Sequence, residues 1–231
     1  MRPRDYRPDM VIHYPRGLIV VAVFLSGMAG FVDAMGFITL GGFFVSFMSG
    51  NSTKLAVSAA DGLVHTALTG AGVVGLFIVG VMIGSVTGRR AGARHRPAVL
   101  SLVTVLLLAA ATAHLVGSTP LAISFMVAAM GAENTTFERE GEVSISLTYM
   151  TGTLVKMGQR LVTALSGGER WGWLRYFMLW VAMVAGAFLG ATAHRFIGLG
   201  ALWIAVLWGA VLTVAIARMP PGMPAVSRRW G

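Results

Sequence analysis

Two lysines lie inside otherwise apolar sequence, each four residues after a glycine in a short run of small polar residues. The first run is Met48-Ser49-Gly50-Asn51-Ser52-Thr53-Lys54, and the second is Met150-Thr151-Gly152-Thr153-Leu154-Val155-Lys156. After Gly50, Asn51 and Ser52 have side chains suited to cap a helix through LAVSAA, and Thr153 can do the same for LVKMGQRLVTAL. Helix N-termini present free backbone N–H groups and partial positive charge, and here a lysine lies within about a turn of each. Such a field favours an anion or the carboxylate of a zwitterion. Asp33 and Glu133 are the natural ion-pair partners for the lysines, since an unpaired charge inside a membrane costs about 2.5–3.5 kcal/mol or more. Ser49, Asn51, Thr151 and Thr153 supply neutral donors, and Gly50, Gly152 and Asn134 complete the candidate solute-binding set. The competing expectation is that the four charges only fix the packing of the chain.

Other chemistry is thinly represented. There are no cysteines, which excludes thiolate catalysis, disulfides and cysteine-ligated metals. The histidines at 13, 65, 95, 114 and 194 have no metal-ligand spacing and are expected at helix ends. No Walker pattern and no convincing Ser, His and Asp set is present, so neither an enzyme nor a cofactor is expected. Basic residues outnumber acidic ones, 18 to 9, but they flank apolar segments and form no aromatic-interleaved patch, which argues against nucleic acid.

The elements that must position these residues are membrane helices. With 56% hydrophobic and 12% charged residues and a mean hydropathy of +0.76, the chain reads as an integral membrane protein. Six apolar stretches approach the roughly 20 residues needed to span a bilayer: Gly17 to Phe37, Val64 to Thr87, Ala98 to Val116, Pro120 to Asn134, Trp173 to Ala193 and Leu199 to Ala217. The fourth is short, with Thr119 as its expected N-cap. A signal-peptide reading of the basic N-terminus and GLIVVAVFLSGMAG is outweighed, because that segment belongs to a repeated unit.

The repeat has three anchors in order. Gly30-Phe31-Val32-Asp33 matches Gly131-Ala132-Glu133-Asn134 at an offset of 101, and the polar runs match at 102. Gly80, Gly84 and Arg89 match Gly186, Gly190 and Arg195 at 106. The expected halves are residues 17–117 and 118–218, between an N-terminal segment 1–16 and a tail 219–231. If neither polar run crosses the membrane, 16 of the 18 basic residues lie inside, with only Lys54 and Arg195 outside. Eight crossings would instead put RRAGARHR and the N-terminus on opposite sides. The expected fold is therefore an all-α membrane protein of six spanning helices, a 3+3 inverted repeat in which each half carries a re-entrant or broken-helix polar element. The two elements should meet near the centre. The acidic stretch EREGE, Glu138 to Glu142, reads as a solvated loop.

Through GFVDAMGFITLGGFF with MSGNSTKLA, and GAENTTFEREG with MTGTLVKMG, the chain resembles the YoaK-like family of uncharacterised bacterial membrane proteins. The likeness runs from Gly17 to Ala217 and departs from the usual pattern in Glu133, where Gln is typical, and in Ser49, where Thr is. It implies a bacterial inner-membrane protein and names no substrate. The expectation is a small transporter or channel for a small polar or anionic solute, working in a lipid bilayer and compatible with a homo-oligomer. A non-transporting scaffold or sensor is the alternative.

The topology is testable in a chain without native cysteines. Cysteines placed at 3 and 92 should react with an impermeant thiol reagent only from the cytoplasmic side, and one at 196 only from outside. Labelling of 196 from the cytoplasm would sink the six-crossing arrangement.

Overall fold

The computed structural model describes residues 16–139, 142–143 and 150–219. The expected cytoplasmic N-terminal segment up to residue 15 and the tail from 220 lie outside them, as do residues 144–149 ahead of the second polar run. Eight α-helices are described, α1 (Arg16–Thr39), α2 (Met48–Ala60), α3 (Val64–Ala91), α4 (His95–Leu115), α5 (Thr119–Glu133), α6 (Met150–Leu165), α7 (Leu174–Ile197) and α8 (Leu202–Ala217). Each of the six apolar stretches is a helix within a few residues of its expected bounds. Where EREGE was expected as a loop, β1 (Glu138–Arg139) pairs antiparallel with β2 (Glu142–Val143).

Three continuous helical stretches are long and apolar enough to cross a membrane: Gly17–Thr39, Val64–Leu115 and Leu174–Ala217. The last two are each folded back at a glycine. Gly92 (φ +55°) and Gly198 (φ +57°) take a backbone conformation costly for any residue with a Cβ, and each opens a short 3₁₀ turn that reverses the chain, into α4 and α8 respectively. At 15 residues α5 is only about 22 Å long, less than the ~30 Å hydrocarbon layer. It begins with Thr119 inside the helix, and Ser118 at the cap position makes no side-chain bond, so the expected Thr119 cap is displaced by one residue.

Glycines set how the bundle closes. A Cβ at Gly186 of α7 would fall on the Gly27 carbonyl oxygen of α1, and one at Gly190 on the Phe31 carbonyl. Going the other way, Gly30 of α1 lies against the Met183 carbonyl. The contacts advance together along both helices, so α1 and α7 run parallel in backbone contact, with Ser26 Oγ donating to the Leu179 carbonyl at 3.0 Å. A second interface uses matching positions. Gly80 and Gly84 of α3 lie against Ala128 and Ala132 of α5, and Gly131 lies against the Phe77 carbonyl. Offsets of 101 and 106 residues relate one interface to the other. Between lipid-exposed helices water supplies no driving force, so close approach and dispersion do the work, and only glycine permits it. α4 and α8 join at Thr104 and Thr213, whose hydroxyl oxygens are 3.3 Å apart, with Gly209 against Thr104.

Gly80→Ala and Gly186→Ala should each destabilise the protein by about 1–3 kcal/mol through overpacking against backbone. Gly72→Ala, with open space where its Cβ would stand, should leave stability unchanged. Thermal unfolding in detergent checks this, and equal tolerance at 72 and 186 would refute the backbone contact.

Candidate functional site

Between α1 and α2 the chain runs without regular structure from Leu40 to Phe47, and it returns alongside the helix it has just left. Gly36 packs on Val45, so the segment lies beside the last two turns of α1 and not beyond them. Phe43, Val45 and Ser46 are buried, and irregular backbone that is buried must find its hydrogen bonds within the protein. Asp33 provides two, its Oδ1 accepting the Val45 and Ser46 N–H groups, both at 2.8 Å. Asn51 provides two more at Phe44, its Oδ1 accepting the N–H at 2.9 Å and its Nδ2 donating to the carbonyl at 2.6 Å. Both side chains are buried. A carboxylate on one side and an amide on the other thus clamp the returning strand.

Several expectations are corrected here. Asp33 does not pair with Lys54. The Lys54 ammonium donates to the Gly41 carbonyl at 2.9 Å and stands 4.2 Å from the centroid of the Phe43 ring, half-buried at the rim of the segment. The reason is that Asp33 is held by two short backbone bonds several residues deeper, where a lysine would have to leave water to reach it. Asn51 and Ser52 do not cap α2, which already begins at Met48 after an uncapped Phe47. Asn51 lies in the first turn with its side chain turned to Phe44, while Ser52 Oγ bonds back to the Met48 carbonyl. α6 likewise begins no later than Met150, so Thr153 is inside it, buried, and not its cap. Ser49, Thr151 and Lys156 are exposed, and Gly50 and Gly152 are half-exposed. Nor do the polar helices converge. α2 lies along α3, with Leu55 against Gly70, and α6 packs on α7.

In the second half Asn134, the repeat mate of Asp33, donates through Nδ2 to the Met130 carbonyl at 2.9 Å. Glu133 is fully buried, and neither carboxylate oxygen has a hydrogen-bond partner; Thr136 Oγ1, also buried, has none either. The expected pairing of Glu133 with a lysine is therefore absent. His95 binds the Thr135 carbonyl at 2.8 Å and its ring fills the space over Gly88, fixing the turn that follows α5. The roles of His95, Thr136 and the Phe44 backbone had no sequence signal beyond helix-end position. No group of three or more acidic, His or Cys residues able to hold a metal occurs among the described residues.

The apolar helices, the glycine seams and the buried polar segment define a multi-pass helical membrane protein. Residues 21–215 match the family described as "Protein of unknown function (DUF1275)". The chain belongs to that family, in accord with the uncharacterised membrane family its motifs suggested. It is 35% identical over 219 residues to a UPF0700 transmembrane protein of Rhizobium meliloti (strain 1021), covering 93% of this chain and 89% of that protein. No solved structure matches.

Substitutions at Asp33 separate the clamp from an ion pair. Asp33→Asn keeps an oxygen for the two N–H groups and should cost little, whereas Asp33→Ala leaves both buried and unsatisfied, about 1–3 kcal/mol apiece. Asp61→Asn, at the exposed end of α2, should be neutral. If Asn were as damaging as Ala at 33 in thermal unfolding, charge and not the clamp would be what matters.

Proposed function

We propose that the chain is a small transporter or channel of the bacterial inner membrane, arranged as a 3+3 inverted repeat with both termini cytoplasmic. It moves a small anion or carboxylate-bearing solute and has no enzymatic activity. The observation that carries this reading is the broken structure at the end of α1, where irregular backbone is held deep beside an apolar helix by Asp33 and Asn51. Secondary transporters use such discontinuous segments at the seam between inverted halves to build their sites. Helix directions support the inversion. α3 starts at the end where α1 stops, since Gly70 lies against Phe43, and α5 runs parallel to α3. By that path the first helices of the two halves, α1 and α5, point in opposite directions. The same contacts support re-entry of the Leu40–Ala60 element from the end of α1.

Lys54 supplies the solute chemistry. Its ammonium uses one carbonyl and retains further donors beside an aromatic ring at the mouth of the segment. Lys156 is exposed, so the two lysines contribute unequally. A scaffold reading draws on the closed pairing of Asp33 and Asn51. It is disfavoured by Glu133 and Thr136, because a core built only for packing has no use for buried polar atoms without partners.

Flux into proteoliposomes of purified protein, screened over inorganic anions and small organic acids, tests the proposal. Uptake should saturate, and Lys54→Met should weaken apparent affinity about ten- to a hundredfold, the worth of one charge-assisted hydrogen bond, with a smaller effect for Lys156→Met. Movement of a cation or neutral solute, unchanged in the Lys54→Met protein, would overturn the anion assignment.

A further inference from the structure

Glu133 occupies a place that packing alone fills with a hydrocarbon side chain. On α5 the buried row Met126, Ala129, Glu133 is fully inaccessible, and its repeat mates on α1, Leu25, Met28 and Val32, are equally so. Val32 meets the demands of that position in one half. In the other half stands an acid with both oxygens unpartnered. A buried polar group without a partner is costly even when neutral, and an ionised one costs far more. The fold therefore gains nothing from the carboxyl.

Among the described residues no side chain forms a hydrogen bond with its carboxyl. α5 packs against α3, α4 and α1. The charged and titratable groups these helices carry towards the end of α5 are Arg89 and Arg90 on α3, His95 and Arg96 on α4, and Arg16 at the start of α1, with Glu138 and Arg139 following in the chain. His95 is engaged with the Thr135 carbonyl, and Arg96 lies over the Phe137 ring. None forms a hydrogen bond with Glu133. The Thr136 N–H bonds to the Glu133 carbonyl at 3.0 Å, and Thr136 Oγ1 is another buried oxygen of this turn without a partner. Burying a carboxyl that has no hydrogen-bond partner costs far less with its proton on than as an anion.

We propose that Glu133 is a proton-binding site. It is loaded while the site is closed and gives up its proton when the bundle opens the end of α5 to water, so that a proton travels with the solute. This rests on the transporter reading above, and it makes co-transport of a monovalent anion electroneutral.

The test is infrared spectroscopy of the full chain in liposomes at neutral pH, in H₂O and D₂O, comparing wild type with Glu133→Gln and Glu133→Val. The wild type should show the C=O stretch of a protonated carboxyl, shifted on transfer to D₂O as the site opens and exchanges. Both variants should lack it. Glu133→Val, which copies Val32, should fold and unfold at the same or a higher temperature; if it does not fold, Glu133→Gln carries the comparison. Absence of the band in wild type, a band that never exchanges, or one abolished by sodium chloride would each overturn the proposal, the last by assigning the site to a metal cation. Flux without an exchanging band sinks the proton site alone. An exchanging band without flux of any solute sinks the transporter reading on which the proposal stands.

Discussion

Backbone polar groups inside a membrane protein have to find their partners within the protein, and most of the unusual geometry here follows from one segment that must obey this rule. Leu40 to Phe47 has left the helix that would have satisfied it. Asp33 reaches forward from α1 and Asn51 reaches back from α2, and together they serve the backbone of Phe44, Val45 and Ser46. With those bonds in place, α2 has to start low and run outward along α3, which puts Lys54 at the rim beside Gly41 and Phe43. The position of the lysine is a consequence of the clamp.

Glycine seams carry this local arrangement to the whole bundle. The first helix of each half is in backbone contact with the third helix of the other, α1 with α7 and α5 with α3. The two seams tie helices far apart in the chain around one core. Packing this close is stiff within each seam because a shift of a few tenths of an ångström already forfeits dispersion contacts or meets a carbonyl. Between the seams, α4 meets α8 through threonines and a single glycine.

How much of this was legible in the sequence depends on the kind of signal. The six apolar helices were, within a few residues, because hydropathy over a long window measures the cost of placing that window in hydrocarbon. Gly80, Gly84, Gly186 and Gly190 were recognisable as packing residues by their spacing. Asp33, Asn51 and Glu133 stood out as polar residues in apolar surroundings, and all three are buried. Their partners were not legible. Asp33 and Lys54 look like an ion pair when only charge is considered, but a carboxylate can equally accept from backbone N–H groups, which every residue carries and no sequence marks. The caps were misplaced for a related reason, since Asn51 binds a loop as readily as it caps a helix.

The sequence by itself determined that this is a membrane protein of apolar helices, where its close contacts lie along those helices, and which few polar residues are out of place in them. Those properties belong to single residues and their spacing, and they hold whatever the neighbours are. Tertiary structure alone decided that Asp33 holds backbone, that Lys54 faces the rim, that Gly186 meets Gly27 and not a residue of its own half, and that Glu133 is left without a partner. Each of these is a relation between residues brought together from distant positions or different helices, fixed by which backbone groups and which free volumes the folded bundle sets side by side.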